Sequence, residues 1–371
     1  MYHSTLAKDI MMEGEDGEPM RSTSKNTNPQ INKYTAQSNE NLTNKQLVAP
    51  LIDLLKSNSN FEAMPGSSKV IVFDLDIRVQ DAFEVAKEND ISFACLWDNA
   101  SGKLVGMLTV TDLIAILLHY KDETSKIKDL FMNHTVRKWR ELSERERKEN
   151  LISIHPEQSL WDSVMVLKKN KIHRLPIISE ENLLHVATHA HLLSYLCSQR
   201  IEEHPIFNKT LESLGIGTYE SVYKVTKKVS VHEVMKIFSE KNISAIPVVD
   251  ENDVFEDVYS RYDVVYLVRD DSDDFLLNAS LEDALKTRPK KTAYICNKNE
   301  TFGAVVNHLA HSRIHRLVVV DENRKLLGIL SISDIFSFFV QHDEEDSSDE
   351  DVEDVGEDDD LFKDQTDVML Q

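Results

Sequence analysis

The stretch that decides the fold is one of four similar ones: Phe302–His315, then Arg316-Leu317-Val318-Val319-Val320-Asp321, then Ser331-Ile332-Ser333-Asp334. It has an apolar-striped helical segment, a short apolar strand, a polar gap, and a hydroxyl-rich turn that opens a second helix. Three more helical segments begin the same pattern, at Val79–Ser92, Leu160–His173 and Val231–Ser244. From the first apolar residue of each segment to its final Ser or His is 13 positions in every copy. Repetition at this length predicts one supersecondary unit used four times.

The other three copies carry the same strand and turn. Copy one has Ala94–Asp98 and Thr109–Asp112, copy two has Arg174–Ile178 and Thr188–His191, and copy three has Ala245–Asp250 and Ser260–Asp263. Each copy is therefore predicted to fold as strand, helix, strand, strand, helix, which is an α/β arrangement. One such small sheet has too little core to be stable alone. We therefore expect copy one to pair with copy two, and copy three with copy four, as two compact lobes.

Repeats and composition divide the chain into five parts. Residues 1–47 form a polar tail, 48–200 the first pair, 201–217 a linker, 218–342 the second pair and 343–371 an acidic tail. Between Asp343 and Asp360 there are thirteen Asp or Glu and no Lys or Arg. Both tails are predicted to be disordered, because they lack the apolar residues that offset the loss of chain entropy. The acidic tail either keeps the chain soluble or presents Ser347 and Ser348 to an acid-directed kinase.

The composition indicates a location. The three cysteines, Cys95, Cys197 and Cys296, lie far apart in apolar settings, which favours a reducing compartment. The chain has no pattern typical of a signal peptide, and its apolar runs are much shorter than the roughly 20 residues that span a bilayer. We expect the protein in the cytoplasm, the nucleus or both.

The sequence gives no support for catalysis, metal binding or nucleic-acid binding. It has neither a Gly-rich phosphate loop nor a nucleophile elbow nor a kinase catalytic signature, so we predict that it is not an enzyme. His185, His189 and His191 cluster, but they have no carboxylate or cysteine partners at ligand spacing. A surface or core role is therefore predicted for them rather than a metal site. The segment 137–148 mixes both signs of charge, which does not favour a nucleic-acid partner.

The turn that opens the second helix carries an Asp in three copies: Asp112, Asp263 and Asp334. The plain interpretation is that each Asp caps its helix. A carboxylate can instead accept hydrogen bonds from both hydroxyls of a ribose, while nearby Ser and Thr hydroxyls hold sugar or phosphate oxygens. Copy two has His191 at this position. A capping role alone explains less well why the Asp is replaced there.

A His-Arg pair occurs twice at the same position of the repeat, as His173-Arg174 and His315-Arg316. A guanidinium suits phosphate oxygens, and a histidine adds a pH-sensitive donor. These side chains could also pair with local acids. Recurrence at one template position favours an anion site, and a local cationic cleft can bind an anion although the net charge of the chain is -22.

A series of motifs resembles a known family. They are Leu96-Trp97-Asp98, 106–109, Trp139-Arg140-Glu141, 170–176, 214–219, 244–250, Tyr259-Ser260 and 314–321. Four units of this design resemble the cystathionine-β-synthase (CBS) repeat, arranged as two Bateman pairs. More narrowly, residues 50–342 resemble the gamma regulatory subunits of AMP-activated protein kinase. The resemblance implies a flat disc built from two Bateman domains.

The resemblance also implies three nucleotide sites. The site around Asp112 has Met107, Thr109, Thr111, Lys171, Arg174 and Pro176; the site around Asp334 has Thr218, Ser244, Ala245, Ser331, Ser333 and Arg316; the site around Asp263 has Ser260 and Arg288; His173 and His315 supply further phosphate contacts. The ribose site of copy two is expected to be empty, since it has His191. The family has basic residues where this chain has Ser92 and Ala190, and those residues point at phosphates in the centre of the disc. Their loss is expected to weaken nucleotide binding at one central site, most of all the site around Asp263.

Residues and resemblance together predict a non-catalytic regulatory subunit that binds AMP, ADP and ATP competitively, with no cofactor or metal. They imply a kinase alpha subunit and a beta subunit as partners. An assembly subunit without nucleotide sensing is the alternative, which Ser92 and Ala190 favour and the intact Asp112 and Asp334 turns do not. An accessory to a metabolic enzyme that binds another adenosyl ligand is a third possibility with less support.

Overall fold

The computed structural model describes residues 42–347 apart from 68–69, 90, 120–132, 143–150, 200, 202–203, 268–278, 290–294 and 313. The disorder predicted for residues 1–41 and 348–371, and the kinase site at Ser348, lie outside the described residues. Within them, no helix is both long enough and apolar enough to cross a bilayer.

Helices and strands are interspersed along the chain. The α-helices are α1 (Asn44–Ser57), α2 (Asn60–Ala63), α3 (Val79–Glu88), α4 (Val110–His119), α5 (Val136–Leu142), α6 (Leu160–Lys169), α7 (His189–Ser198), α8 (Leu211–Leu214), α9 (Val231–Glu240), α10 (Leu281–Thr287), α11 (Phe302–His311) and α12 (Ile332–Ser347). The strands are β1 (Val72–Asp74), β2 (Phe93–Asp98), β3 (Lys103–Thr109), β4 (Arg174–Ser179), β5 (Asn182–Thr188), β6 (Ala245–Val249), β7 (Phe255–Ser260), β8 (Ile295–Cys296), β9 (Arg316–Val320) and β10 (Leu326–Ser331). Short 3-10 helices cover Pro205–Asn208 and Arg261–Leu267.

The first helix of each copy begins at the residue that the pattern predicts. Helices α3, α6, α9 and α11 start at Val79, Leu160, Val231 and Phe302, and each has 10 residues. In the last three copies, the hydroxyl of a Ser or Thr just before the helix accepts a hydrogen bond from a backbone N–H of the first turn. That contact satisfies a backbone donor which the helix leaves unpaired, so it sets the start of the helix.

The strands form a small sheet in every copy. In copy one β1 runs parallel to β2 and β2 antiparallel to β3, and in copy four β8, β9 and β10 repeat this order. Copies two and three have the hairpins β4–β5 and β6–β7. Their first strand is reduced to a parallel bridge, Ile154 to Ile177 and Val225 to Val248. The predicted order is therefore confirmed, with a shorter first strand in two copies.

The two largest hydrophobic clusters join copies that belong to different predicted pairs. One contains Leu113 of copy one together with Val234 and Phe238 of copy three. The other contains Leu193 of copy two and Phe336 of copy four, together with α1 and the linker. The expected lobes are therefore not separate bodies, because each second helix buries its apolar face against the other pair.

The predicted pairs are joined by their strands. Copies three and four share a smaller cluster of Phe255, Val318 and Val320. Between copies one and two, Lys103 Nζ lies 3.2 Å from Glu181 Oε1, and Arg174 reaches copy one. Each copy thus contacts two others, and the four close into a ring, in agreement with the disc that the resemblance implies.

The segment boundaries differ from those expected. Helix α1 begins at Asn44, inside the predicted tail 1–47, because Thr43 and Gln46 form a capping box and Leu47 is buried. At the other end, α12 continues past 342, and Asp343 Oδ1 accepts from Lys56 Nζ at 2.7 Å. The predicted linker contributes to the core through its described residues Ile206 and Leu211.

Candidate functional site

The Asp of the turn has the same geometry in copies one, three and four. Oδ2 of the carboxylate accepts from the backbone N–H and from the hydroxyl of the Thr or Ser three residues earlier, at distances of 2.7–2.9 Å. These pairs are Thr109 with Asp112, Ser260 with Asp263 and Ser331 with Asp334. In copy four the Ser331 hydroxyl also lies 2.7 Å from that of Ser333. Capping of the helix is therefore confirmed, and since it engages one carboxylate oxygen, it does not exclude a ribose contact at the other.

The carboxylate of copy three has an additional cation. Arg288 Nη1 lies 3.2 Å from Asp263 Oδ2, and Arg288 Nη2 lies 2.8 Å from Asp257 Oδ1. The side chains of Arg288 and Asp263 are only 5% and 1% exposed. Arg288 is therefore held in a buried ion pair at this turn, where the family resemblance had assigned it to a nucleotide.

Copy two replaces this arrangement with a histidine. The backbone N–H of His191 donates to Thr188 Oγ1 at 3.1 Å, and the His191 ring atom Nε2 lies 2.8 Å from the carbonyl oxygen of Ala63. The His191 side chain is thus turned to the backbone of α2. That the ribose site of copy two is empty stays a prediction.

The two predicted arginines make matching contacts across the pairs. Arg174 of copy two donates through Nη2 to Ser92 Oγ of copy one, and Arg316 of copy four donates through Nη2 to Ser244 Oγ of copy three at 2.9 Å. The Arg174 guanidinium also lies over the Phe93 ring, 4.8 Å from its centroid. Ser92, which stands where the family has a basic residue, therefore positions an arginine as Ser244 does.

Arg261 is a third arginine at this place, and sequence reasoning missed it. Its Nη1 donates to Thr111 Oγ1 of copy one at 3.1 Å, while Nε donates to the carbonyl oxygen of Ile243 at 2.8 Å. Burial is the main cause of the lowered pKa values of His173 and Arg316, and the charge of Arg261 lowers both further. Arg261 could have been predicted as a site residue from its position inside the copy-three turn, between Ser260 and Asp263.

Three histidines accompany the arginines. Burial, followed by nearby positive charge, lowers the pKa values of His173, His189 and His315 to about 4. The His189 ring lies 6.0 Å from that of His173, so it too belongs to the cluster, although the sequence predicted a surface or core role for it. Burial also lowers the pKa of Arg174 and of Arg316 to about 10, which leaves both guanidiniums charged at pH 7.

We call this set of Arg174, Arg261, Arg316, His173, His189 and His315 the cationic cluster. It draws on copies two, three and four, and Arg261 connects it to the turn of copy one. The charged members at pH 7 are the three guanidiniums, which all act electrostatically on His173 and repel one another unless an anion lies between them. The cluster is therefore suited to bind an anion with several charged oxygens, such as a phosphate chain.

The remaining predicted site residues have no described polar side-chain contact with the cluster. Met107 is on β3 opposite Cys95, Pro176 on β4 opposite Val186, and Ala245 on β6 opposite Ser260. Thr218 pairs through its backbone with Ile329 of β10. Lys171 is exposed and has a left-handed backbone, with φ 53°.

Comparison with known proteins gives the class. The CBS domain family model matches residues 66–119, 143–198, 219–270 and 288–341, which is more than half of the chain. The chain therefore belongs to the CBS-domain family.

More narrowly, the chain is similar to gamma subunits of 5′-AMP-activated protein kinase. It is 33% identical over 293 residues to the gamma-3 subunit of Homo sapiens, covering 77% of this chain and 60% of the relative. It is 33% identical over 357 residues to the gamma subunit of Dictyostelium discoideum, covering 91% and 59%. This chain thus spans about three-fifths of the length of these relatives. The gamma-type resemblance predicted from the motifs is confirmed.

A solved structure supports the fold. The crystal structure of a Methanocaldococcus jannaschii protein, described as an archaeal homologue of the kinase gamma subunit, matches with a TM-score of 0.64 and 16% identity. The match covers 76% of this chain and 100% of the other. At this identity the likeness shows the fold alone.

Proposed function

We propose that the chain is a non-catalytic regulatory subunit that binds AMP, ADP and ATP competitively in clefts between its CBS repeats. The observation that carries the proposal is the cationic cluster, which lies beside hydroxyl-and-carboxylate turns. The turns of Asp112 and Asp334 suit a ribose, and the guanidiniums suit the phosphates. The similarity to kinase gamma subunits supports the same assignment.

Sensing would follow from the way the cluster is assembled. Arg174, Arg261 and Arg316 come from three different copies, so a ligand that contacts all three pulls those copies together. AMP, ADP and ATP differ in phosphate charge and length, and each would stabilise a somewhat different arrangement of the ring. Differential binding of this kind typically gives about 1–3 kcal/mol of coupling to a partner.

The proposed partners are a kinase alpha subunit and a beta subunit in a heterotrimer, as the gamma-type similarity suggests. The edge of a CBS sheet would offer a docking surface for an added strand. The proposed location is the cytoplasm or the nucleus. The free cysteines agree with a reducing compartment, and burial raises the pKa values of the Cys95 and Cys296 thiols to about 12.

The alternative, an assembly subunit with weak or absent sensing, has one observation in its favour. Arg288 binds Asp263 and Asp257, so the copy-three carboxylate already has a cationic partner. Ala190 contributes no charge to the cluster. Under this alternative the chain would hold the heterotrimer together and bind no nucleotide.

Calorimetric titration of AMP into the full chain, in complex with its partner subunits, separates the two functions. We expect saturable binding that ATP competes away. Replacement of Asp334 by Ala should remove the ribose contact and weaken binding at that cleft about tenfold or more, as for a lost hydrogen bond to a charged group. The helix cap lost with it costs only about 1 kcal/mol, so the variant should stay folded.

Asp343→Ala is the matched control, because Asp343 lies on the same helix and pairs with Lys56 outside the cleft. It should bind AMP as the parent does. Absence of heat with the parent would leave the assembly function, and equal binding by Asp334→Ala and the parent would contradict the role of Asp334.

The cluster also predicts a pH effect. Without ligand, His173 and His315 are neutral at pH 7, because their pKa values lie near 4. These values are below the unfolded value of about 6.5, so the free protein should lose stability as the pH falls from about 6.5 towards 4. A bound phosphate favours the charged imidazole and should raise both pKa values. Ring-proton NMR of the two histidines, with and without AMP, measures this shift; unchanged pKa values at saturation would exclude phosphate binding beside them.

A further inference from the structure

Three lysines at the end of α6 carry positive charge that no described residue neutralises. Lys168 and Lys169 lie in the last turn of the helix, Lys171 follows its cap, and all three are exposed. None of them forms an ion pair or a side-chain hydrogen bond with a described residue, whereas Lys228 Nζ of copy three lies 2.7 Å from Glu251 Oε1. The dipole of α6 supplies an effective charge of only about −0.5 at this end. We call these three residues the lysine patch.

The lysine patch adjoins the cationic cluster. Lys171 comes two residues before His173 and three before Arg174, and both of these belong to the cluster. Negative charge bound to the patch therefore lies close to the groups that would hold phosphates. It acts on any anion at the cluster through Coulomb repulsion.

The acidic run of the chain begins at the other end of α6. Asp343 is the first of the thirteen Asp or Glu between 343 and 360, and its Oδ1 accepts from Lys56 Nζ at 2.7 Å. Lys56 Nζ also lies 5.7 Å from the centroid of the Trp161 ring, in the first turn of α6. Helices α12 and α6 contact each other and belong to the same hydrophobic cluster. The acidic run thus leaves the folded part of the chain beside α6.

The length of α6 is small compared with that of the acidic run. The helix has 10 residues, which is about 15 Å at about 1.5 Å per residue. An extended chain covers about 3.3 Å per residue, so roughly five residues span this distance. Residues 348–360 contain nine Asp or Glu and no Lys or Arg. Their covalent connection to α12 keeps their local concentration at the patch on the order of mM.

We propose that the acidic segment 348–360 docks on the lysine patch of the same chain and lowers the affinity of the cationic cluster for nucleotides. The effect on affinity rests on the proposed nucleotide binding, whereas the docking does not. Each pair of exposed charges is weak, but several carboxylates against three lysines act as a set. Repulsion grows with the charge of the ligand, so the docked segment disfavours ATP more than AMP. The acidic segment would therefore increase the preference of the chain for AMP.

Zero-length carbodiimide cross-linking of the full chain, followed by mass spectrometry, tests the docking without nucleotide. We expect carboxylates of 348–360 to link to the lysine patch in preference to Lys228 and Lys236, which are exposed lysines of copy three. The preference should disappear in about 1 M salt, where the screening length falls to about 3 Å. Links from 348–360 that are spread evenly over exposed lysines would overturn the docking.

Calorimetric titration of ATP and of AMP into the full chain, in complex with its partner subunits, tests the effect on affinity. Replacing the nine carboxylates of 348–360 by Asn or Gln should raise the affinity for ATP several-fold and that for AMP less. In a chain with Lys168→Gln and Lys169→Gln, the same replacement should have little further effect, because the segment has lost most of its docking site. Lys171 is kept, since it is also a predicted nucleotide contact.

Lys228→Gln with Lys236→Gln is the matched control, because it removes the same charge in copy three. In that background, neutralising the segment should still raise the affinity for ATP. An equal gain in both lysine backgrounds would show that the segment acts through net charge alone and would overturn the role of the patch. Cross-links to the patch in a chain that binds no nucleotide would contradict the proposed function and the effect on affinity, but would support the docking.

Discussion

Replacing Arg316 by Gln is expected to weaken AMP binding about 10- to 150-fold, as follows from one charge-assisted contact of about 1.5–3 kcal/mol. Arg316 combines a position near Asp334 with a fixed orientation, since its Nη2 donates to Ser244 Oγ. Gln keeps a hydrogen-bond donor at this place but removes the charge and the planar fork that fit phosphate oxygens. Calorimetric titration of AMP into the variant complex measures the change.

The same substitution should leave the thermal midpoint of the free protein unchanged or raise it. Burial and the charge of Arg261 lower the pKa of Arg316 to about 10, so the folded state without ligand disfavours this charge. Affinity and stability would then change in opposite directions. Arg324→Gln is the control, because Arg324 is exposed in the turn before β10 and should leave both quantities unaltered. Unchanged affinity of Arg316→Gln would remove Arg316 from the anion site.

Replacing Arg288 by Ala is expected to cost about 3–5 kcal/mol of unfolding free energy, because it leaves Asp263 buried without its cation. The Asp263 carboxylate is 1% exposed and cannot be solvated in place of the ion pair. Urea denaturation of the full chain, compared with the parent, measures the loss. A midpoint shift without a change in slope would show that stability alone has changed.

A surface ion pair provides the comparison. Arg78 Nη2 lies 2.7 Å from Asp81 Oδ1, but the Arg78 side chain is 53% exposed. Arg78→Ala should therefore cost no more than about 1 kcal/mol. In the double variant Arg288→Met with Asp263→Asn the buried charges are reduced together, and part of the lost stability should return. Equal losses for Arg78→Ala and Arg288→Ala would show that Arg288 does not neutralise a buried charge.

Local features of the fold could be predicted from the sequence. The helix starts at Leu160, Val231 and Phe302 follow from an apolar stripe preceded by a capping hydroxyl, and both signals lie within a few residues. The turn around Asp334 could be predicted for the same reason, since the Asp334 carboxylate accepts hydrogen bonds from the residue three positions earlier. The end of the N-terminal tail was harder to predict from the sequence, because Leu47 packs in the core against residues that are distant in the chain.

Only part of the cationic cluster could be predicted from the sequence. The repeated His-Arg pairs indicated Arg174 and Arg316, but Arg261 has no such recurrence. Its contact with Thr111 joins residues 150 positions apart in the chain. His189 was assigned to a surface or core role, because nothing near it in sequence shows that its ring approaches His173.

The sequence by itself determined that one unit is used four times, which hydroxyls and carboxylates open each second helix, and that Asp is replaced by His191 in copy two. These are consequences of short-range hydrogen bonding and of helix and strand periodicity. Only the tertiary structure decided that copy one shares its core with copy three, and copy two with copy four. It also decided that three arginines converge and that Arg288 neutralises Asp263. The physical reason is that these contacts depend on how apolar helix faces from distant parts of the chain pack together, and no local pattern records that choice.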